Sequence, residues 1–103
     1  MFKLNFFVPS KDKERVKEAL FKVGAGRYEN YEHCAFETLG SGQFKPINGA
    51  NPHIGQVDIL EKVEEYKVEM ICSDELIKEA IKVLKETHPY EEVAYEVFRM
   101  EMF

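Results

Sequence analysis

The sequence has no excess of basic residues and no long apolar run. It carries 14 Lys and Arg against 19 Asp and Glu, a formal net charge of -5. Because phosphate binding needs a concentrated face of Lys and Arg, we predict no nucleic acid partner. No apolar run approaches the roughly 18 residues of a membrane span, and the N-terminus lacks the charged region and cleavage site of a signal peptide. We therefore expect a cytoplasmic protein with no membrane partner.

Motifs for phosphate binding and nucleophilic catalysis are also missing. Cys34 and Cys72 have no CxxC spacing, and each falls in an apolar strand pattern. This favours buried reduced thiols over a disulfide or a pair of metal ligands. Neither a P-loop nor a GxGxxG motif is present, and none of Ser10, Ser41 and Ser73 lies in a nucleophile elbow or beside a His. We predict no catalytic residue.

What the sequence does contain is two similar halves, each with the pattern strand, helix, strand. Apolar residues alternate in Phe2 to Val8, in His33 to Leu39 and towards the end of Val57 to Cys72. Val93 to Met100 has apolar residues in both registers, which suggests burial on two sides. The third strand begins between Ile59 and Glu64, and its predicted inward residues are Tyr66, Val68, Met70 and Cys72. With 45% hydrophobic residues, 103 positions are enough for one domain with a real core.

Two amphipathic helices lie between the strands. Ser10 is the predicted N-cap of the first helix, and Gly24 ends it with a left-handed conformation. Ser73 is the predicted N-cap of the second, and Pro89 forces its end by Thr87. The predicted buried stripes are Val16, Ala19, Leu20 and Val23 in the first helix, and Leu76, Ile77, Ala80, Ile81 and Leu84 in the second.

A stretch rich in glycine and proline, Gly40 to Gln56, joins the two halves. Neither a helical nor a strand period runs through it. Structureless connections of this length are uncommon in compact domains, where the median is roughly 4 to 6 residues, and they are usually functional or disordered. We therefore predict that this loop is the working surface. Phe44 and Ile54 within it need burial, either on the domain itself or, with a slight preference, in a neighbouring subunit.

The order of elements predicts a ferredoxin-like βαββαβ sandwich. This is an α+β fold with a four-stranded antiparallel sheet and both helices on one face. The other face then carries no helix, and we expect Phe7, Leu39 and Ile71 on it together with one register of the last strand. Because an uncovered apolar sheet face commonly contacts a partner subunit, we predict a homo-oligomer.

Several segments carry a resemblance to a known family. They are Gly24 to Tyr28, His33 to Phe36, Gly40 to Pro46, Gly49 to Gly55, and His88 to Tyr95. Together they resemble the YqfO-type domain, which occurs as an insert within longer NIF-three-like proteins and also alone. The resemblance covers nearly the whole chain, residues 1–103, as a single domain. The His-Pro-Tyr-Glu run after the second helix is also similar to CutA, a trimeric relative of the PII signalling proteins.

Both likenesses imply the ferredoxin-like fold, and the CutA and PII relatives imply a trimer. PII relatives use a long loop between the second and third strands to sense small molecules and contact partners, and the loop here has the same place in the order. The longer NIF-three-like proteins resemble two-metal hydrolases. Their metal ligands lie in flanking segments that this chain lacks, so the resemblance assigns no ligand here.

The run His88 to Glu91 is the best-defined polar group. Its imidazole could bind a divalent metal ion with a nearby carboxylate, or it could cap the last carbonyls of the second helix, and the residues favour capping. In a strand, His33 and Cys34 point to opposite faces, so a metal site would be assembled from His53 with His33 or His88, across subunits if necessary.

The sequence thus favours a non-catalytic, oligomeric binding module of PII/CutA type for a small molecule, a metal ion or a protein. The alternative is a metal-dependent enzyme, or an accessory subunit of one, with a His-based divalent metal site. The predicted ligand-binding residues are Gly40, Gly42, Phe44, Pro46, His53, Tyr90 and Glu91, and the predicted metal ligands are His33, His53 and His88.

Overall fold

The computed structural model describes residues 1–103. The strands are β1 (Phe2–Pro9), β2 (Phe36–Phe44), β3 (Glu61–Cys72) and β4 (Tyr95–Arg99). The helices are α1 (Lys13–Val23) and α2 (Ile77–Thr87), and a 3-10 turn at Ser10–Asp12 precedes α1. The strands form one sheet in the order β2-β3-β1-β4, and every neighbouring pair is antiparallel. None of the helices combines the length and the apolar character that a membrane crossing needs.

The core lies between one face of the sheet and the two helices. Leu4, Phe6 and Val8 of β1 are fully buried, because the period of two along a strand directs them to the same face. The same cluster contains Val68, Met70 and Cys72 of β3, Val16, Leu20 and Phe21 of α1, and Ile77, Ala80 and Leu84 of α2. Both helices therefore cover the same face, and the predicted ferredoxin-like fold is confirmed.

The second strand begins later and runs further than its predicted span. Gly40 to Phe44, placed in the loop by the sequence, continue β2, and Gly40 pairs with Glu65 of β3. Glycine is a weak strand former, but the ladder of β3 hydrogen bonds holds it in place here. His33 lies before β2 with a positive φ of 61°, and the Cys34 N-H donates to the Gly26 carbonyl. The predicted strand at His33 to Ala35 is therefore wrong.

The helix starts also differ from the predictions, whereas the helix ends agree with them. The Ser10 hydroxyl donates to a Glu64 carboxylate oxygen at 2.7 Å rather than capping α1. Ser73 is separated from α2 by a turn, in which its carbonyl accepts the Leu76 N-H. Gly24 ends α1 with a left-handed φ of 107°. At both starts a turn precedes the helix, so the serine lies too far upstream to cap it.

Burial of the cysteines and of the last strand also departs from the sequence pattern. Cys72 is buried, and burial raises the pKa of its thiol, whereas Cys34 lies outside any strand and is only half-buried.

The span of β4 is shorter than Val93 to Met100, and its two faces are unequally buried. Tyr95 packs against the core, while Phe98 on the other face is 54% exposed, so burial on both sides is not observed.

The sheet face without helices carries apolar side chains. Phe7 and Ile71 lie on it as predicted, together with Phe98 and with Phe36, which is 68% exposed. Leu39 pairs with Tyr66 and therefore lies in the other register, so its predicted position was wrong. A shift of one residue exchanges the faces of a strand, and pairing with β3 sets the face here.

The core assignment predicts different costs for two leucines. Leu20→Ala removes a fully buried side chain of α1 and should lower the free energy of unfolding by about 2–5 kcal/mol. Leu39→Ala, the matched control on an exposed side chain, should change it by no more than about 0.5 kcal/mol. Urea denaturation measures both, and equal losses would show that the helices do not cover the face assigned here.

Candidate functional site

His88 ties three segments together at the end of α2. It is 6% exposed. Its Nε2 lies 2.7 Å from the Phe7 carbonyl oxygen, and its Nδ1 lies 3.1 Å from the Tyr90 nitrogen. A carbonyl can only accept and a backbone N-H can only donate, so the ring is the neutral tautomer with its hydrogen on Nε2. Its backbone N-H donates to the Leu84 carbonyl and thereby caps α2.

The surroundings of His88 favour the neutral ring. Burial lowers the pKa of this imidazole, and this effect exceeds the opposing hydrogen bond to the Phe7 carbonyl. Protonation would place a hydrogen on Nδ1, where the Tyr90 N-H already points. The predicted capping role belongs to the backbone of His88, and its imidazole bonds to β1 instead. Because both ring nitrogens are engaged, a metal ion could bind His88 only by breaking one of these hydrogen bonds.

Tyr90 is held at two points. Its N-H donates to His88, and its hydroxyl donates to Glu65 Oε2 at 2.9 Å. Burial, followed by the hydrogen bond to Glu65, raises the pKa of the Tyr90 hydroxyl far above its ordinary value. The ring is therefore fixed as a neutral aromatic surface between the corner after α2 and the β2-β3 hairpin.

Gly42 leaves open the space that the Glu65 carboxylate occupies. A Cβ at position 42 would overlap that carboxylate, whereas a Cβ at Gly40 would meet only the Glu65 carbonyl oxygen at 3.9 Å. Gly42 has no left-handed φ, so space rather than backbone conformation requires a glycine there. The glycine thus allows Glu65 to reach Tyr90.

The loop of residues 45–60 folds back onto this corner. The Asn51 N-H donates to Glu91 Oε2 at 2.8 Å, which joins the loop to the segment before β4. The Asp58 N-H donates to the Pro46 carbonyl at 2.7 Å and closes the base of the loop. Pro46 is buried and Ile54 is half-buried. The loop thus makes these contacts with its own domain.

Between this loop and the corner lies a cleft of about 340 Å³. Its volume is within the roughly 300–1,000 Å³ of small-molecule sites. Five of the predicted ligand-binding residues line it, namely Phe44, Pro46, His53, Tyr90 and Glu91. Gly40 and Gly42 line a second depression, of about 320 Å³, on the same sheet face. Phe7 and Glu65 line both, so the two depressions are adjacent.

The sequence interpretation missed Glu65, Glu92 and Phe7 as cleft residues. Glu65 was assigned only an outward position on β3, and its contact with Tyr90 joins residues 25 positions apart. The signal that could have found Glu65 was Gly42, a glycine inside a strand, which often marks the close approach of another group.

Tyr90 is the centre of the aromatic wall of the cleft. Its ring centroid lies 4.9 Å from His88, 5.9 Å from Phe44 and 6.5 Å from His53. His33 is elsewhere and stacks on Phe21 of α1 at 4.6 Å. No group of three or more His, Cys, Asp and Glu side chains in the chain is arranged to hold a metal ion. The predicted metal site is therefore not assembled within one chain, and a site shared between subunits stays a prediction.

The fit of Glu65 over Gly42 predicts a small, specific loss on substitution. Gly42→Ala should fold but displace the carboxylate, and it should be less stable than Gly40→Ala by about 0.5–1.5 kcal/mol, the value of one hydrogen bond. Urea denaturation of a double-mutant cycle with Tyr90→Phe isolates the effect. Tyr90→Phe should cost that amount in the wild type and almost nothing beside Gly42→Ala, and equal costs in both would contradict the contact.

The buried imidazole predicts a pH dependence of stability. The pKa of His88 is lower in the folded chain than the ordinary value of about 6.5 in the unfolded chain, so the unfolded state binds more protons below that pH. Its contribution is complete above about pH 6.5 and is lost as the pH falls through the folded pKa. Urea unfolding between pH 7.5 and 5 should show a smaller decline in His88→Gln than in the wild type. Identical slopes in the wild type and in His88→Gln would refute the assignment.

No protein-family model matches the chain. Among curated proteins, the chain is 43% identical over 99 residues to "GTP cyclohydrolase 1 type 2 homolog" of Bacillus subtilis, a match that spans 96% of the chain and 26% of the relative. Among solved structures, a Bacillus cereus protein related to NIF3 matches with a TM-score of 0.84 and 40% identity, over 98% of this chain and 26% of that one. This chain therefore spans about a quarter of the length of these relatives.

CutA1 from Pyrococcus horikoshii matches over 100% of this chain and 86% of its own, with a TM-score of 0.73 and 17% identity. At that identity the match shows a shared fold alone. The chain is thus closely similar in sequence to one segment of NIF3-related proteins and has the fold of CutA.

Proposed function

We propose that this chain is a non-catalytic, oligomeric binding module of PII/CutA type, which takes a small molecule or a segment of a partner protein in the cleft. The observation that carries the proposal is the cleft itself, where the loop of residues 45–60 and the corner after α2 meet. The residues around Tyr90 hold its walls in place before any ligand arrives, and preformed walls reduce the entropy lost on binding.

The polar groups of the site support binding rather than catalysis. His88 has both ring nitrogens hydrogen-bonded to backbone groups, and the Tyr90 hydroxyl donates to Glu65. The Ser10 hydroxyl donates to Glu64, outside the cleft. No nucleophile, base and orienting group are brought together, so the site lacks the set of groups that acyl or phosphoryl transfer requires. The cyclohydrolase homology in the Bacillus subtilis name concerns a protein of which this chain covers 26%, and we do not extend it to this chain.

The helix-free face supports a homo-oligomer, and the trimer is the state that the resemblance to CutA and PII implies. Phe36 and Phe98 project from this face. Because the cleft opens beside this face, assembly would place it at a subunit junction.

A search for small-molecule binding tests the function directly. In a fragment screen read by amide chemical shifts, bound fragments should move the resonances of Phe44, His53 and Tyr90, because these residues line the cleft. Shifts confined to the surface of α1 and α2, or no shifts from a diverse library, would reject the binding module.

The assembly is tested by mass in solution. Light scattering should give three times the mass of one chain. Phe98→Glu places a charge on the proposed interface and should shift the protein towards the monomer by about tenfold or more in dissociation constant. Tyr31→Glu, on an exposed ring outside the sheet, is the matched control and should leave the mass unchanged. A wild-type monomer would contradict the oligomer.

A further inference from the structure

The cleft is negatively charged. Its lining includes three carboxylates, from Glu65, Glu91 and Glu92, and one ammonium group, from Lys45. None of these four side chains takes part in a salt bridge, although nine contacts between a Lys, Arg or N-terminal ammonium group and a carboxylate occur elsewhere in the chain. The negative charge is therefore not neutralised by the protein, and a ligand of opposite charge can supply the missing partner.

The carboxylates keep free acceptor capacity. Glu65 uses Oε2 for the Tyr90 hydroxyl, and Glu91 uses Oε2 for the Asn51 N-H. Each retains its other oxygen, and Glu92 makes no hydrogen bond to the rest of the chain. An ionised carboxylate can only accept. A ligand that satisfies these oxygens must therefore donate hydrogen bonds, as an ammonium group does.

The aromatic wall suits a cation as well. Tyr90 lies near both Phe44 and His53, at centroid distances of 5.9 and 6.5 Å. The faces of neutral aromatic rings attract positive charge, and aromatic boxes are a recurrent way to bind organic ammonium groups. Pro46 and Ile54 supply an apolar surface beside the rings, on which the body of such a ligand can pack.

The charged groups around Tyr90 also make the electrostatic potential of the cleft negative. Burial raises the pKa of its hydroxyl most, and the charges that add to this effect belong to Glu65, Asp12 and Glu61. The acids that oppose ionisation of Tyr90 would equally oppose the entry of an anion. A bare metal ion suits the cleft less well than an organic cation, because much of its lining is apolar and no set of three ligands converges.

We propose that the cleft binds an organic ammonium ion, a protonated primary amine carried on an apolar or aromatic body. This inference rests on the proposed binding function and adds the chemical class of the ligand. The ammonium group lies at the acidic lining of the cleft, beside Glu92, and the body of the ligand packs on Phe44 and Tyr90.

Three indole compounds with one ring system and different charges test this class. They are tryptamine, which is cationic, tryptophol, which is neutral, and indole-3-acetate, which is anionic. The chain has no Trp, so indole fluorescence anisotropy reports the ligand alone. Tryptamine should bind at least about tenfold more tightly than indole-3-acetate, with tryptophol between them.

Two matched variants assign the charge effect to the cleft. Glu92→Gln removes one cleft carboxylate that the fold does not use, and it should weaken tryptamine binding by about two- to fivefold, as for one exposed ion pair. Glu86→Gln removes the same charge from the exposed surface of α2 and should leave the affinity unchanged. Phe44→Leu, which keeps an apolar side chain but removes the ring, should also weaken binding.

The outcomes separate the ligand class from the binding function. Equal or tighter binding of indole-3-acetate or tryptophol would overturn the ammonium inference, while binding at the cleft would still support the module. Failure of all three indoles to bind would also overturn it, and so would equal effects of Glu92→Gln and Glu86→Gln. In each case the amide-shift screen decides separately whether the cleft binds anything.

Discussion

The hydrogen bonds of the buried His88 ring are the constraint on which the candidate site depends. The imidazole joins the Phe7 carbonyl of β1 to the Tyr90 N-H, while its own backbone N-H closes α2. These bonds need a neutral ring with its hydrogen on Nε2, and burial favours that state. One residue thereby joins a helix end, a sheet strand and an aromatic wall through hydrogen bonds.

The opposite wall of the cleft depends on Gly42, which has no side chain. Glu65 reaches Tyr90 only because Gly42 leaves the space above β2 empty. The loop of residues 45–60 then closes the third side, through the hydrogen bond from Asn51 to Glu91. Hydrogen bonds of the backbone and of side chains, and the space left by Gly42, thus hold the residues around Tyr90 in place. This is the arrangement expected of a preorganised binding site, in which the fold bears the cost of ordering the walls.

The helix-free sheet face borders the candidate site. Phe7 lies on this face and also lines both depressions, so the cleft is continuous with the surface that carries Phe36 and Phe98. A subunit docked on those rings would lie beside the cleft. Ligand binding and assembly would then be coupled through shared residues, since a ligand that contacts two subunits stabilises the assembled state. The acidic lining and its aromatic wall would give such a junction a chemical preference as well as a shape.

The order and period of the apolar segments predicted the fold, because alternation in β1 and β3 and the helical stripes of α1 and α2 show which side chains are buried. Local chemistry also marked Phe44, His53 and Tyr90 as residues of interest. Sequence could not determine the face of Leu39 or the extent of β2, since an edge strand takes its register from its neighbour. Nor could it show that Glu65 reaches Tyr90 or that both nitrogens of His88 are occupied, because these contacts join residues distant along the chain. Only the tertiary structure brings such groups within hydrogen-bond distance, and that proximity decided which residues form the cleft.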